Sequence, residues 1–146
     1  MSSVVLLCMF GGIGTYHYVR ANTPVQTPET KITSNFDMKN KVIEFFEAND
    51  ASEMIPIIKC ESHFRQFDKN GEPLRNKAGS SAIGVAQIMT SLHPDPKVLK
   101  RYNRKYNTNL TTDDFDVTTF EDNIGYALIL YKTNGTRDWE CSKHGA

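Results

Sequence analysis

The feature that most constrains the fold is a short segment that is apolar on nearly every side of a helix. Residues Met54–Ser62 read MIPIIKCES. Its apolar side chains are Met54, Ile55, Ile57 and Ile58. A helix of this kind belongs inside a core. Pro56 falls in its first turn, where the missing N–H costs little, and Ser52 is placed to cap it. The rest of the fold must therefore be built around this helix.

A carboxylic acid stands at the end of the same helix. Glu61 lies one turn beyond Ile57, on the same face. Burial disfavours the charged form of a carboxyl group, and a protonated carboxyl aimed into a cleft is what a general acid needs. By position alone, Glu61 is equally compatible with an exposed helix end or with pairing to Lys59 or Arg65. Its surroundings in the sequence must decide between these interpretations.

Length and composition exclude several classes of protein. The chain has 146 residues, which is the size of one domain. Hydrophobic residues at 39% and charged residues at 23% are typical of a globular protein and exclude a disordered or coiled-coil chain. The 17 basic and 17 acidic residues cancel, so no net field draws the chain to nucleic acid or anionic lipid. We therefore expect no nucleic-acid partner.

The N-terminal residues have the composition of a targeting segment. Val4–Val19 contains no charge, but it is shorter than the roughly 20 residues that span a bilayer. A secretory signal peptide over residues 1–21 is the favoured interpretation, and a retained membrane anchor is the alternative. Residues 22–35, rich in Thr and Pro, are expected to form a linker, which leaves 36–146 for the domain. This organisation predicts an exported protein of the periplasm, cell envelope or extracellular space.

Export changes how the cysteines are interpreted. Cys8 lies in the N-terminal segment, so Cys60 and Cys141 remain in the domain. One pair in an oxidising compartment indicates a disulfide. It would close a loop of about 80 residues and contribute about 4 kcal/mol in the chain-entropy model. Two separate buried thiols are the alternative. Two cysteines without clustered histidines make no zinc site, and no metal or cofactor is expected.

The remaining segments predict an α+β fold that is mostly helical, with one small β-hairpin. Helices are expected over Asp37–Asn49 and Lys97–Asn107. A last long helix starts at a capping box of Thr118 and Glu121 and ends at Gly135. Its core stripe is Phe120, Ile124, Leu128 and Tyr131.

The β element and its neighbour are the least regular part of the pattern. Asn70-Gly71 lies between short mixed runs, so the hairpin is expected within Phe64–Asn76. Gly79–Met89 is expected to begin as a loop of small residues and to enter a short apolar helix. Gly84 within it is expected to allow a close approach of backbone or sugar, or to form a simple turn.

Three short motifs follow one another along the chain. They are Glu61-Ser62-x-Phe64, Gly84-Val85-Ala86-Gln87-Ile88-Met89 and Asn123-Ile124. In this order they resemble the catalytic-glutamate motif, the Gly-Leu-Met-Gln-Ile element and the Asn-Ile helix motif of the lytic transglycosylases. That family belongs to the lysozyme superfamily and is related to goose-type lysozyme. The resemblance covers about Lys41–Tyr131 and implies a lysozyme-like fold.

The resemblance also implies a chemistry and a set of site residues. Glu61 would be the single acid/base acting on peptidoglycan glycan strands at the bond between N-acetylmuramic acid and N-acetylglucosamine, and the product would carry a 1,6-anhydro ring. The implied substrate contacts are Ser62, Ser81, Gln87, Asn123 and Tyr131. The alternatives are a loop cap for Ser81 and a solvent-facing helix position for Gln87, and an aromatic residue on a core stripe, such as Tyr131, is more often a packing residue.

The chain departs from the family beyond its last helix. Many members carry a Tyr-Asn-Ala-Gly element with a cleft tyrosine, whereas this chain reads Thr136–Lys143. Within it, Trp139 is expected to close the core beside the Cys60–Cys141 link, and sugar stacking is the alternative. The basic helix Lys97–Asn107 is expected to be a solvated face. Tracking of a phosphate backbone is the alternative, and stem peptides or wall polymers are the anionic partners expected for an exported protein.

Other functions remain open at this stage. A lysozyme that hydrolyses the same bond needs a second carboxylate, for which the loop residues Asp95, Asp113, Asp114 and Asp116 are candidates. A wall-binding module without turnover is an alternative of another class, and a nucleic-acid-binding helical domain is a remote one. A transglycosylase of this size would open the wall locally for an envelope-spanning apparatus or for phage passage.

Overall fold

A computed structural model describes residues 35–76 and 78–144, and in this part four α-helices surround a small antiparallel hairpin. The helices are α1 (Asn35–Ala48), α2 (Met54–Ser62), α3 (Pro96–Tyr106) and α4 (Phe120–Asn134). The strands are β1 (Ala82–Ile83) and β2 (Ile88–Met89), and short 3₁₀ turns cover Thr112–Asp114 and Glu140–His144. The expected class, α+β and mostly helical, is confirmed.

The apolar helix α2 lies in the core as predicted. Met54 and Ile58 are fully buried, as are Val42 and Phe46 of the neighbouring helix α1. The predicted cap is wrong by one residue, because Glu53 occupies the N-cap position and makes no side-chain capping bond. The chain therefore depends on the apolar contacts of α2, rather than on a capping side chain, to hold this helix.

The predicted turn at Asn70-Gly71 is present, but its flanks form only an isolated antiparallel bridge, Phe67 with Pro73, and no named strand pair. A second isolated bridge joins Arg75 to Ile83. The hairpin is formed instead by β1 and β2, in the segment that was expected to enter a helix. Gly84 and Gln87 have φ angles of +75° and +53° between the strands. Such angles turn the chain and are incompatible with a right-handed helix.

The last two helices agree with the sequence pattern to within one or two residues. In α3, the Asp95 side chain accepts a hydrogen bond from the Lys97 N–H and caps the helix. The cap of α4 is Thr119, whose hydroxyl accepts from the Asp122 N–H, so the expected cap at Thr118 is wrong by one position. The two helices pack against each other, and Gly135 ends α4.

The candidate targeting segment 1–21 and the candidate linker 22–35, apart from its last residue, lie outside the described residues. Asn35 begins α1 and so is not part of a linker. Among the helices that are described, none combines the length and the apolar character needed to cross a membrane.

Candidate functional site

Glu61 lies in the last turn of α2 and is half-buried. Its Oε1 atom accepts a hydrogen bond of 3.1 Å from the backbone N–H of Cys141. It forms no ion pair with a described residue, and the Arg65 guanidinium donates instead to the Ser62 carbonyl. Pairing with a cation, one of the open interpretations, is therefore not how Glu61 is held. The apolar surroundings of α2 do not enclose its carboxyl completely.

The segment that follows α4 contacts both the Glu61 carboxyl and the hairpin turn. The predicted disulfide joins Cys60 of α2 to Cys141. Two residues earlier, the Trp139 indole N–H donates to the Ala86 carbonyl at 2.8 Å, and Trp139 is 3% exposed. Trp139 thus closes the core, as expected, and offers no face for a sugar. We call Trp139–Cys141 the C-terminal clamp, because it binds both the end of α2 and the hairpin turn.

Two buried amide side chains hold the same turn from the other side. Gln66 accepts from the Val85 N–H at 2.7 Å and donates to the Thr118 carbonyl at 2.8 Å. Asn123 of α4 accepts from the Ala86 N–H at 2.8 Å and donates to the Ile83 carbonyl at 3.2 Å. Both amides are fully buried, where an unpaired polar group would cost free energy. Consequently these side chains fix the hairpin turn against α4.

Gly84 is required because these two amides leave no room for a side chain. A Cβ atom placed on Gly84 would lie 2.7 Å from Asn123 Cγ and 2.7 Å from Gln66 Oε1. The positive φ of this residue also favours glycine. Gly84 therefore turns the chain and is closely approached, but by the side chains of two buried amides and not by backbone or sugar as expected.

Three of the predicted substrate residues face the interior of the protein. The Ser62 hydroxyl, 1% exposed, donates to the Ile58 carbonyl. The Gln87 side chain folds back onto the Gly84 carbonyl at 2.8 Å, so it is not the solvent-facing helix residue considered above. Asn123 uses its amide within the protein, as already described. In this structure the three side chains support the backbone around the site.

The other two predicted residues lie closer to the surface. Ser81 is half-buried, and its hydroxyl lies 2.7 Å from that of Ser91. Tyr131 is also half-buried and donates to the Glu53 carboxylate at 3.2 Å. Burial, together with this hydrogen bond, raises the pKa of Tyr131. No hydrogen bond within the described part of the chain joins Ser81 or Tyr131 to Glu61.

Three of the four aspartates considered as second carboxylates bind backbone groups of their own turns, whereas Asp113 is exposed and accepts a long bond of 3.5 Å from the Thr112 hydroxyl. Asp95 caps α3, Asp114 accepts from the Thr111 N–H at 2.7 Å, and Asp116 accepts from the Thr118 N–H at 3.1 Å. None of the described residues forms a group of three or more His, Cys, Asp or Glu side chains able to hold a metal ion.

Sequence reasoning missed the role of Gln66 and of the Cys141 backbone. The carbonyl acceptors of Gln66 lie 52 and 53 residues further along the chain, and the Cys141 N–H is 80 residues from its acceptor. Local periodicity contains no signal for contacts of this range. The Cys60–Cys141 pair was the one clue that the C-terminal segment returns to α2.

No protein-family model, curated protein or solved structure matches this chain.

Proposed function

We propose that the chain is a peptidoglycan lytic transglycosylase. It cleaves the β-1,4 bond between N-acetylmuramic acid and N-acetylglucosamine and leaves a 1,6-anhydro end on the muramic residue. The order of the three motifs supports this proposal, and a lysozyme-like arrangement of the domain is part of it. The proposal places the protein outside the cytoplasm, on glycan strands, with or without a membrane tether.

The observation that carries the proposal is that residues of all three motifs bind one connected structure around Glu61. The C-terminal clamp binds Glu61 and Ala86, and Asn123 binds the backbone on both sides of Gly84. The Cys141 N–H thus positions the Glu61 carboxyl, and the same segment is joined through Trp139 to the hairpin turn that Asn123 holds. A positioned carboxyl is what acid–base catalysis requires.

In the proposed reaction, Glu61 acts twice. It first donates its proton to the glycosidic oxygen, so that N-acetylglucosamine leaves as an alcohol. The carboxylate then takes the proton of the muramic 6-hydroxyl as that oxygen attacks C1, and the acid form is restored. The Cys141 N–H binds Oε1, whereas Oε2 has no hydrogen-bond donor among the described residues, so Oε2 is the oxygen available to the substrate.

A single carboxylate is sufficient for this cycle because the substrate supplies its own nucleophile. A hydrolase of the inverting type instead needs a second anion, about 6.5–9.5 Å from the acid, to activate water. Asp95, Asp114 and Asp116 accept backbone hydrogen bonds within their own turns. The commitment of these three to their own turns favours the transglycosylase, and the exposed Asp113 keeps the lysozyme as the alternative.

Substitution of Glu61 tests the assignment. We expect Glu61→Gln to lower the release of muropeptides from purified sacculi by about 10²–10⁴-fold. A glutamine side-chain oxygen still accepts from the Cys141 N–H, so the melting temperature should stay within about 2 °C. Glu44→Gln, at an exposed position on α1, is the matched control and should keep full activity. Wild-type activity of Glu61→Gln would show that the catalytic assignment is wrong.

The product distinguishes the proposed enzyme from its alternatives. Mass spectrometry of the released muropeptides should find 1,6-anhydro ends, which are lighter by one water than the products of a lysozyme. Reducing N-acetylmuramic acid ends without anhydro species would identify a hydrolase. Binding to sacculi with no release at all, by both wild type and Glu61→Gln, would identify a wall-binding module.

A further inference from the structure

Helix α3 presents a row of positive charge that the proposed reaction does not use. Its cationic side chains are Lys97, Lys100, Arg101, Arg104 and Lys105, all exposed. They fall within an arc of about 140° around the helix axis at 3.6 residues per turn. Pro96–Tyr106 contains no acidic residue. We call these five side chains the α3 basic face.

The cations of this face form no ion pair within the described residues, although Asp95 caps the helix beside Lys97 and Asp138 bonds the Asn134 side chain that Arg101 contacts. Arg101 donates to the Asn134 side-chain oxygen at 3.1 Å, and Lys105 donates to the Lys132 carbonyl at 3.1 Å. Both partners are neutral. Because the whole chain has 17 basic and 17 acidic residues, these five cations leave the remainder with an excess of five acids. The positive charge is therefore local.

The opposite side of α3 is committed to the core. Val98 and Leu99 are 3% and 2% exposed, so the helix has no apolar face left to insert into a lipid layer. The rings of Tyr102 and Tyr106 pack on each other with centroids 4.5 Å apart, and Lys105 lies over Tyr106 at 5.0 Å. Neither ring is a free platform for a nucleic-acid base.

We propose that the α3 basic face binds a linear polymer of phosphodiester-linked polyols, such as a wall polymer of the poly(glycerol phosphate) type. Such a polymer carries closely spaced negative charges and has neither bases nor an apolar phase. Helix α3 offers exposed cations to such charges, but no free aromatic face for bases and no apolar face for lipid. From Lys97 to Lys105 the row is about 12 Å long at 1.5 Å per residue, so several consecutive phosphates contact it. This binding does not involve Glu61 or the proposed catalysis, but the choice of a wall polymer rests on the proposed location outside the cytoplasm.

The test is a titration of labelled poly(glycerol phosphate) with the full chain, followed by fluorescence anisotropy between about 50 and 200 mM salt. The logarithm of the binding constant should fall linearly with the logarithm of the salt concentration, with a slope of about −3. Each neutralised phosphate of a single-stranded polyanion contributes roughly 0.7 to such a slope. The triple variant Lys97→Gln, Lys100→Gln, Arg104→Gln should bind about tenfold or more weakly and lose most of that slope. These three side chains make no contact that the fold depends on.

A second triple variant is the matched control. Lys41→Gln, Lys69→Gln, Arg75→Gln removes the same charges from exposed positions outside α3 and should bind as the wild type does. An equal loss in both variants, or binding that does not respond to salt, would overturn the proposal.

Two further probes test the choice of partner. One is an oligothymidylate of equal phosphate number, and the other is a vesicle containing phosphatidylglycerol. For each probe, the affinity due to the α3 basic face is the difference in affinity between the wild type and the α3 triple variant. This difference should be no larger for the oligothymidylate or the vesicle than for the polyol phosphate. Tighter binding of the oligonucleotide would assign the face to nucleic acid, tighter binding of the vesicle would assign it to membrane, and either result would reject the polymer.

Discussion

At the scale of single residues, the site depends on buried amide side chains whose donor and acceptor atoms are all hydrogen-bonded. Gln66 and Asn123 bind backbone groups on both sides of Gly84. The position of Glu61 at the end of an apolar helix and the use of a glycine at residue 84 could be predicted, because both features are visible in the sequence. The role of Gln66 could not, since its partners are distant in sequence and nothing local marks a buried amide.

Gly84→Ala should destabilise the protein more than a positive φ alone explains. The left-handed conformation costs about 1–2 kcal/mol for a residue with a Cβ, and overpacking against the two amides adds about 1–3 kcal/mol. Gly79→Ala is the control, because Gly79 has φ +79° but no atom within 4 Å of a Cβ. The free energy of unfolding from urea titrations should fall clearly further for Gly84→Ala. Equal losses in the two variants would contradict the packing argument.

At the scale of secondary structure, the helices could be predicted and the hairpin could not. Helices α1, α3 and α4 show apolar residues at helical spacing, and their predicted ends differ from the structure by only one or two residues. The apolar run Ile83–Met89 is too short for periodicity to separate a strand pair from a helix. Its conformation is decided by tertiary contacts, namely the hydrogen bonds of Gln66, Asn123 and Trp139 to residues 83–86.

The disulfide should stabilise the attachment of the C-terminal clamp to α2. Cys60 and Cys141 are separated by 81 residues, and removing a link across a loop of this size costs about 4 kcal/mol in the chain-entropy model. Replacing both cysteines by Ser should lower the free energy of unfolding by about that amount. Reductant should destabilise the wild type and leave the double variant unchanged. The intact mass of the wild type should rise by two hydrogens on reduction, and two freely alkylating thiols in the untreated protein would contradict the link.

At the scale of the whole molecule, a polar network joins α3 to α4 and couples stability to pH. The Tyr126 hydroxyl accepts from the Asp95 N–H at 2.8 Å and lies 3.1 Å from His93 Nδ1. Burial, the largest cause, raises the pKa of Tyr126 to about 12. Burial also lowers the pKa of His93 below 6.5, although Asp138 and Asp95 oppose the shift. The folded protein therefore favours the neutral form of His93 more than the unfolded chain does.

The pH dependence of unfolding follows from the lowered pKa of His93. Below about pH 6.5, His93 of the unfolded chain binds a proton more readily than His93 of the folded chain. The free energy of unfolding should therefore fall as the pH drops from 7.5 towards 5. His93→Gln should reduce this slope, and His63→Gln, at an exposed position, should retain it. Urea titrations at several pH values measure the effect. A slope that His93→Gln leaves unchanged would assign the pH dependence to other groups.

The C-terminal clamp has a consequence for when a newly made chain acquires its site. Glu61 is synthesised 80 residues before the N–H that binds it, and Ala86 is synthesised 53 residues before the indole that binds its carbonyl. A chain interrupted after α4 would contain all three motifs and still lack both contacts. On the proposed function, we therefore expect a chain truncated after α4 to release fewer muropeptides than the full chain, because its Glu61 lacks the N–H that positions it.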